Sequence, residues 1–172
     1  FLSEPEDATV GVGDKAAFDV EAGGSLPIHF QWFTENLTLI PDATNASVEV
    51  GPLALTDSGG GYFVVASNLG GSLTSRVAHV TVLEPPSFVV QPQSLAVVLG
   101  GAAEFTASAQ GDAPLFYQWF GPNNQTIPGA EEANYKIPSV QPSDEGFYFV
   151  QVSNQVGRVT SLKAKLNIIF PP

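Results

Sequence analysis

Apolar and polar residues alternate along this chain in short bursts, and the whole series of bursts occurs twice. Phe18 and Val20 alternate with polar neighbours over residues 16–22, as do Phe105 and Ala107 over residues 103–109. Alternation at period two is the mark of a half-buried strand. In the next stretch, Ile28, Phe30 and Trp32 face one way, and His29, Gln31 and Phe33 the other. The same reading puts Leu115, Tyr117 and Trp119 inward and Phe116, Gln118 and Phe120 outward. A last strand runs through Ala78, Val80 and Val82, and again through Ala164, Leu166 and Ile168. No helical period holds over a useful length. Short strands bounded by Gly, Pro and Asn predict an all-β chain of sandwich type.

The bursts repeat at a fixed offset. Pro27-Ile28-His29-Phe30-Gln31-Trp32-Phe33 returns as Pro114-Leu115-Phe116-Tyr117-Gln118-Trp119-Phe120, 87 residues later. After Asp57 and Asp144 the offset drops to 86, so that Tyr62 answers Tyr148 and Asn68 answers Asn154. The first copy therefore carries one extra residue within Asp57-Ser58-Gly59-Gly60-Gly61-Tyr62. Two domains are expected, residues 1–84 and 85–172, each long enough to bury a core. Pro85-Pro86 reads as a short, semi-rigid linker. The chain opens inside one repeat and stops at a second pair, Pro171-Pro172, which points to further copies on at least one side.

Each half resembles an immunoglobulin-like domain of the I-set type. The resemblance rests on the strand-C tryptophans Trp32 and Trp119 and on the corner Asp144-Glu145-Gly146-Phe147-Tyr148, which the first half matches with its insertion. Asn68 to Gly71 and Asn154 to Gly157 match the F–G hairpin. The resemblance implies two tandem immunoglobulin-like β-sandwiches with Trp32, Trp119, Tyr62 and Tyr148 in the cores. It also marks Val20 and Val64, and Ala107 and Val150, as standing where the family places a disulfide. Apolar side chains fill that space at the loss of ~2–4 kcal/mol of cross-link stabilisation. Cysteine-free copies of this kind look like the Ig-like repeats of large bacterial surface proteins; intracellular muscle-type arrays are the other comparison.

Composition narrows the function. The formal net charge is −11, with eleven acids against two bases in residues 1–84 and six against four in 85–172. An acidic body repels phosphate backbones, so nucleic acid is not an expected partner. With no cysteine there is no thiolate metal site or Cys nucleophile, and no apolar run is long enough to insert in a membrane. His29 and His79 both read as outward-facing, about two strand spacings apart, on the order of 10 Å, too far for one metal ion. The acids Glu4, Glu6, Asp7, Asp14 and Asp19 lack the spacing of a calcium loop. No Gly-x-Ser-x-Gly elbow or Ser–His–Asp set is present. The expectation is a chain that is not an enzyme and binds no cofactor or metal. Three sequons, at Asn36, Asn45 and Asn124, fall in predicted loops.

One anomaly remains. Phe116, Phe120, Phe147 and Phe149 all point outward from the C–F–G sheet of the second half, with Phe33 and Phe63 as a weaker version in the first. Exposed apolar patches mark interaction surfaces. The expected role is a structural or adhesive segment of an extracellular or cell-surface array, with other repeats or sister chains as protein partners. It would assemble laterally or into a filament through these faces. The alternative is an accessory module that binds a ligand or glycan, although phenylalanine lacks the polar handle of Trp or Tyr.

Overall fold

A computed structural model describes residues 1–172, and the chain divides into two compact units, Phe1–Glu84 and Pro85–Pro172. The first unit contains β1 (Ala8–Gly11), β2 (Ala16–Asp19), β3 (His29–Thr34), β4 (Ser47–Val50), β5 (Gly61–Asn68), β6 (Gly71–Thr74) and β7 (Ala78–Leu83). The second contains β8 (Ser87–Val90), β9 (Leu95–Val98), β10 (Ala103–Thr106), β11 (Ser108–Gln110), β12 (Phe116–Phe120), β13 (Asn134–Ile137), β14 (Gly146–Ser153), β15 (Arg158–Thr160) and β16 (Ala164–Ile169). The only helical pieces are 3-10 turns, such as those at Leu55–Asp57 and Pro142–Asp144.

Each unit is a two-sheet sandwich. In the first, one sheet runs β1-β7-β5-β3, with β6 also on β5, and the other pairs β2 with β4. In the second, the order β9-β16-β14-β12 repeats this layout with β15 on β14, facing β10 and β13, while β8 pairs with β11. The first strand of each unit changes sheet at a proline, Pro5 or Pro92. Before it, Ser3 bridges Glu21, and β8 runs antiparallel to β11; after it, β1 and β9 run parallel to β7 and β16. A proline suits that switch because it donates no ladder hydrogen bond.

The cores are the residues that alternation turns inward. Trp32 and Trp119 are fully buried, each opposite the valine of its partner strand, Val64 or Val150. Val20, Ala107 and Tyr148 are buried too, while Tyr62 is only partly so. Phe18 lies between Trp32 and Tyr62, and Phe105 between Trp119 and Tyr148, with the Phe105–Tyr148 rings 4.7 Å apart. The indole N–H donates to the carbonyl of Asn45 in one unit and Glu132 in the other, so neither burial strands a polar group. Gln31 and Gln118 donate across to the carbonyls of Ile40 and Ile127 and tie the loop after the Trp strand to the sheet. The fold is thus two tandem immunoglobulin-like β-sandwiches that dispense with the disulfide.

One polar group interrupts each apolar core. Ser75 and Ser161 are buried, and each hydroxyl accepts from the backbone N–H of the central valine, Val64 or Val150, at 3.0 Å. The same hydroxyl donates to the next carbonyl, of Arg76 or Leu162. The serine occupies the break between β6 and β7, or β15 and β16, where the ladder would otherwise leave the valine amide unpaired.

Candidate functional site: the outer sheet faces

Strands β12 and β14 present their outward residues in register, so the outer face can be read row by row. Phe116 lies opposite Ser153, Gln118 opposite Gln151, and Phe120 opposite Phe149; Phe147 lies one row beyond. The four phenylalanines do not form one exposed patch. Phe120 and Phe149 stack at 4.8 Å with planes 3° apart, which leaves Phe149 only 8% exposed and Phe120 partly buried. The Lys163 ammonium stands 5.5 Å over the Phe149 ring and donates to Asn124 Oδ1 at 2.9 Å. This corrects the expectation that Phe149 is exposed: outward-facing residues cover one another where two large rings meet across a strand pair.

Phe116 and Phe147 do remain exposed, at 61% and 51%. The register sets them six residue positions apart along the strands, ~20 Å, at opposite ends of the face. Between them lie the Gln118–Gln151 pair and the covered stack. The first unit repeats the stack, Phe33 on Phe63 at 5.4 Å, and Phe63 too is buried rather than exposed. Its positions equivalent to Phe116 and Phe147 are His29 and Gly61, so no phenyl ring ends its face. Gly61 there is enclosed by Val77 and by Glu35, whose N–H donates to the Gly61 carbonyl at 2.7 Å.

The register also corrects the histidine spacing. His29 faces Ser67 and His79 faces Gly61 on opposite flanks of β5. They are six positions apart along the strand, ~20 Å, besides the two strand spacings expected from sequence. Among the acids near the first strand, Glu4 accepts from the Arg76 N–H, and Asp7 accepts from the His79 N–H at 3.1 Å and pairs with the Arg76 guanidinium. The His79 amide, set against desolvation and helped by Arg76, holds the Asp7 carboxyl below its ordinary range. Burial beside Asp144 pushes the Tyr148 hydroxyl up, and burial beside Asp57 does the same to Tyr62. Asn36 and Asn45 are exposed in loops, and Asn124 is exposed at the end of the 3-10 turn Pro122–Asn124.

Sequence reasoning missed Arg76 and Lys163. Arg76 donates from its side chain to the Pro5 carbonyl at 3.0 Å and so clamps the sheet-switching proline. The second unit does the same work without charge: Gln91 accepts from the Leu162 N–H and Ser94 from the Lys165 N–H, both at 2.9 Å. The two copies diverge directly after Ser75 and Ser161, with Arg76-Val77 in one and Leu162-Lys163 in the other. That divergence is the signal that could have found both cations.

The family described as the immunoglobulin domain matches residues 85–154. Roundabout homolog 1 of Homo sapiens is 30% identical over 182 residues, which take in 100% of this chain and 11% of that protein. Protogenin of Mus musculus is 27% identical over 185 residues, 98% of this chain and 15% of its own length. The chain therefore spans a small part of the curated relatives it matches. The solved extracellular domains 3–5 of Drosophila OTK superpose with a TM-score of 0.74 at 21% identity, covering 96% of this chain and 60% of that one. The titin fragment I67–I69 superposes at 0.62 with 23% identity, covering 98% and 65%. These structural likenesses speak for the fold alone.

Roundabout and protogenin are non-enzymatic cell-surface adhesion and guidance receptors with extracellular Ig domains. The chain is accordingly a pair of Ig-like modules similar to a stretch of these relatives. The relatives are animal receptors, not the bacterial surface proteins whose repeats the sequence resembles. The reason lies in what the shared phrases encode. The Gln-Trp pair and the Asp-x-Gly-x-Tyr corner are each fixed by a core contact or a hydrogen bond, so they accompany the sandwich wherever it occurs.

Proposed function

We propose that this chain is a non-enzymatic adhesive segment of a longer cell-surface array, in which residues 1–84 and 85–172 act as autonomous domains. It engages a protein partner, in the first instance a sister chain, through the outer face of the sheet β9-β16-β14-β12. The observation that carries this reading is the exposure of Phe116 and Phe147 at the two ends of that face. Large apolar rings held on rigid strands are costly to leave in water and well suited to anchor an interface. The first unit has His29 and Gly61 at those positions, so the binding face belongs to the second unit. Repeated head-to-tail, such contacts would extend into a filament; closed on themselves, they would give a lateral dimer.

The test is a double substitution, Phe116→Ser with Phe147→Ser, in the full chain. Sedimentation velocity and aggregation of beads coated with the protein should both show association in the native chain and its loss in the variant, with an unchanged far-ultraviolet circular dichroism spectrum. A native chain that stays monomeric and leaves the beads dispersed would sink the reading. Glycan recognition has less in its favour, because both indoles are buried and the exposed rings of the outer face, Phe116 and Phe147, lack a polar handle.

A further inference from the structure

The smaller sheet of each unit ends on an open edge. β4 has β2 on one side and no strand on the other, and β13 likewise has only β10. The segments leading into them are committed elsewhere: the Ala43 and Ala130 carbonyls accept from the Trp32 and Trp119 backbone N–H, and the Asn45 and Glu132 carbonyls take the indoles. Ladder alternation decides which backbone groups are left over. The Val20 N–H donates to the Ala46 carbonyl and the Ala107 N–H to the Ala133 carbonyl, so Val48 and Val50, and Tyr135 and Ile137, are the positions that bond across each pair. The N–H and C=O groups of Ser47, Glu49, Asn134 and Lys136 point away from the paired strand, and none has a partner. Such an edge is a template for another strand.

The two edges differ in the order of their charges. Lys15 pairs with Glu49 at 3.3 Å in the first unit, and Lys136 with Glu104 at 3.3 Å in the second. Glu49 and Lys136 are equivalent positions, and they are the outermost charges, with side chains 67% and 69% exposed. Two β4 edges brought together would set Glu49 against Glu49, and two β13 edges Lys136 against Lys136. Like charges directly opposite repel, which guards each edge against its own kind. An unlike pair of edges instead reads Lys15, Glu49, Lys136, Glu104, alternating in sign across the four strands.

We propose that β4 of one chain pairs edge to edge with β13 of a second copy, antiparallel and with Glu49 opposite Lys136. Both residues turn their free backbone groups outward, so they exchange hydrogen bonds directly, and Val48 and Val50 stay on the same side of the joined sheet as Tyr135 and Ile137. The antiparallel sense sets Glu131 and Glu132 toward the end of β4 where Lys15 offsets Asp14; the parallel sense would set them toward Asp19, which pairs with no cation. An exposed ion pair contributes little by itself, so backbone bonds hold the contact and the charges choose the partner. This surface is separate from the face that carries Phe116 and Phe147. Every copy has one edge of each sign, so the contact is heterologous and either propagates or closes reciprocally.

The test is charge reversal in the full chain carrying Phe116→Ser and Phe147→Ser, so that association through the other sheet does not contribute. Sedimentation equilibrium at low ionic strength should show self-association, and the amide resonances of Ser47, Glu49, Asn134 and Lys136 should shift with concentration. Glu49→Lys and Lys136→Glu should each weaken association about tenfold, the scale of one ion pair turned from attraction to repulsion. The two reversals together should restore it, and an equimolar mixture of the two single variants should associate where neither does alone. A chain that stays monomeric would overturn the proposal. So would association that ignores both reversals, or a double variant as weak as the singles.

Discussion

Two corners built from the same residues open β5 and β14, and they close differently. In the second unit the Tyr148 hydroxyl donates to the Asp144 carbonyl at 2.8 Å, and the residue is only 2% exposed. In the first unit the Asp57 carbonyl is taken instead by the Gly60 N–H at 3.0 Å, and Tyr62 is left partly exposed. The cause is the extra glycine. Gly59 donates to the Val80 carbonyl and the Gly60 carbonyl accepts from the Val80 N–H, so two residues of one strand face one of its partner. That is a β-bulge, and Gly59 supplies its positive φ of 87°. Downstream the ladder recovers its register, with Tyr62 opposite Ala78 as Tyr148 is opposite Ala164. A one-residue insertion is absorbed where backbone can replace a side-chain hydrogen bond, and the packed core beyond it is unaltered.

The comparison should break first where the units are alike. Ser75→Ala and Ser161→Ala each leave a buried valine N–H without its acceptor, at a cost of about 1–3 kcal/mol in either unit. Chemical denaturation with exchange readout on β5 and β14 would measure both. A serine bond whose loss weakens only one of the units would not be a strut common to the two.

The corners should then separate the units. Tyr148→Phe keeps the ring on Phe105 but removes the donor to Asp144, for a loss of about 0.5–1.5 kcal/mol. Tyr62→Phe should cost the first unit next to nothing, since the bulge already satisfies Asp57. Deleting Gly60 sharpens the contrast: with the bulge gone, the Tyr62 hydroxyl comes within reach of Asp57, and Tyr62→Phe becomes costly in that background. Equal costs for the two tyrosines in the native background would contradict the bulge account.

How far the sequence carries depends on which residues one asks about. Period-two alternation placed Trp32, Trp119, Ala78, Val80, Val82, Ala164, Leu166 and Ile168 inward, the resemblance marked Val64 and Val150 opposite the indoles, and all of them are buried, because a strand's two faces are fixed by its pleat. The same alternation gave the outward side of Phe63 and Phe149 but not their burial. Whether an outward ring is covered depends on its cross-strand neighbour, and that register emerges only from the fold. The buried serines were unreadable for the same reason: each lies at a break in its strand, where alternation says nothing. The changed offset at Asp57 was visible as an extra residue, but its consequence for the tyrosine corner needed the hydrogen bonds.

The smallest expected difference concerns acid, and it arises from how each unit pins its sheet-switching strand. In the first unit the carboxylate of Asp7 accepts from the His79 N–H; in the second the Ser94 hydroxyl accepts from the Lys165 N–H at 2.9 Å. The Asp7 carboxyl lies below its ordinary value of 3.8 in the folded chain, chiefly through the His79 amide and then through Arg76. A depressed folded value means that the contribution is complete above the unfolded value and is lost as pH falls through the folded one. The window therefore lies at and below pH 3.8, and Asp7 is exposed, so the effect is local fraying rather than global unfolding. The His79 amide resonance should titrate in that window while the Lys165 amide stays flat. Asp7→Ser, which gives the first unit the second unit's acceptor, should abolish the titration. A Lys165 amide that moves in parallel with that of His79 would show instead that acid loosens both units by another route.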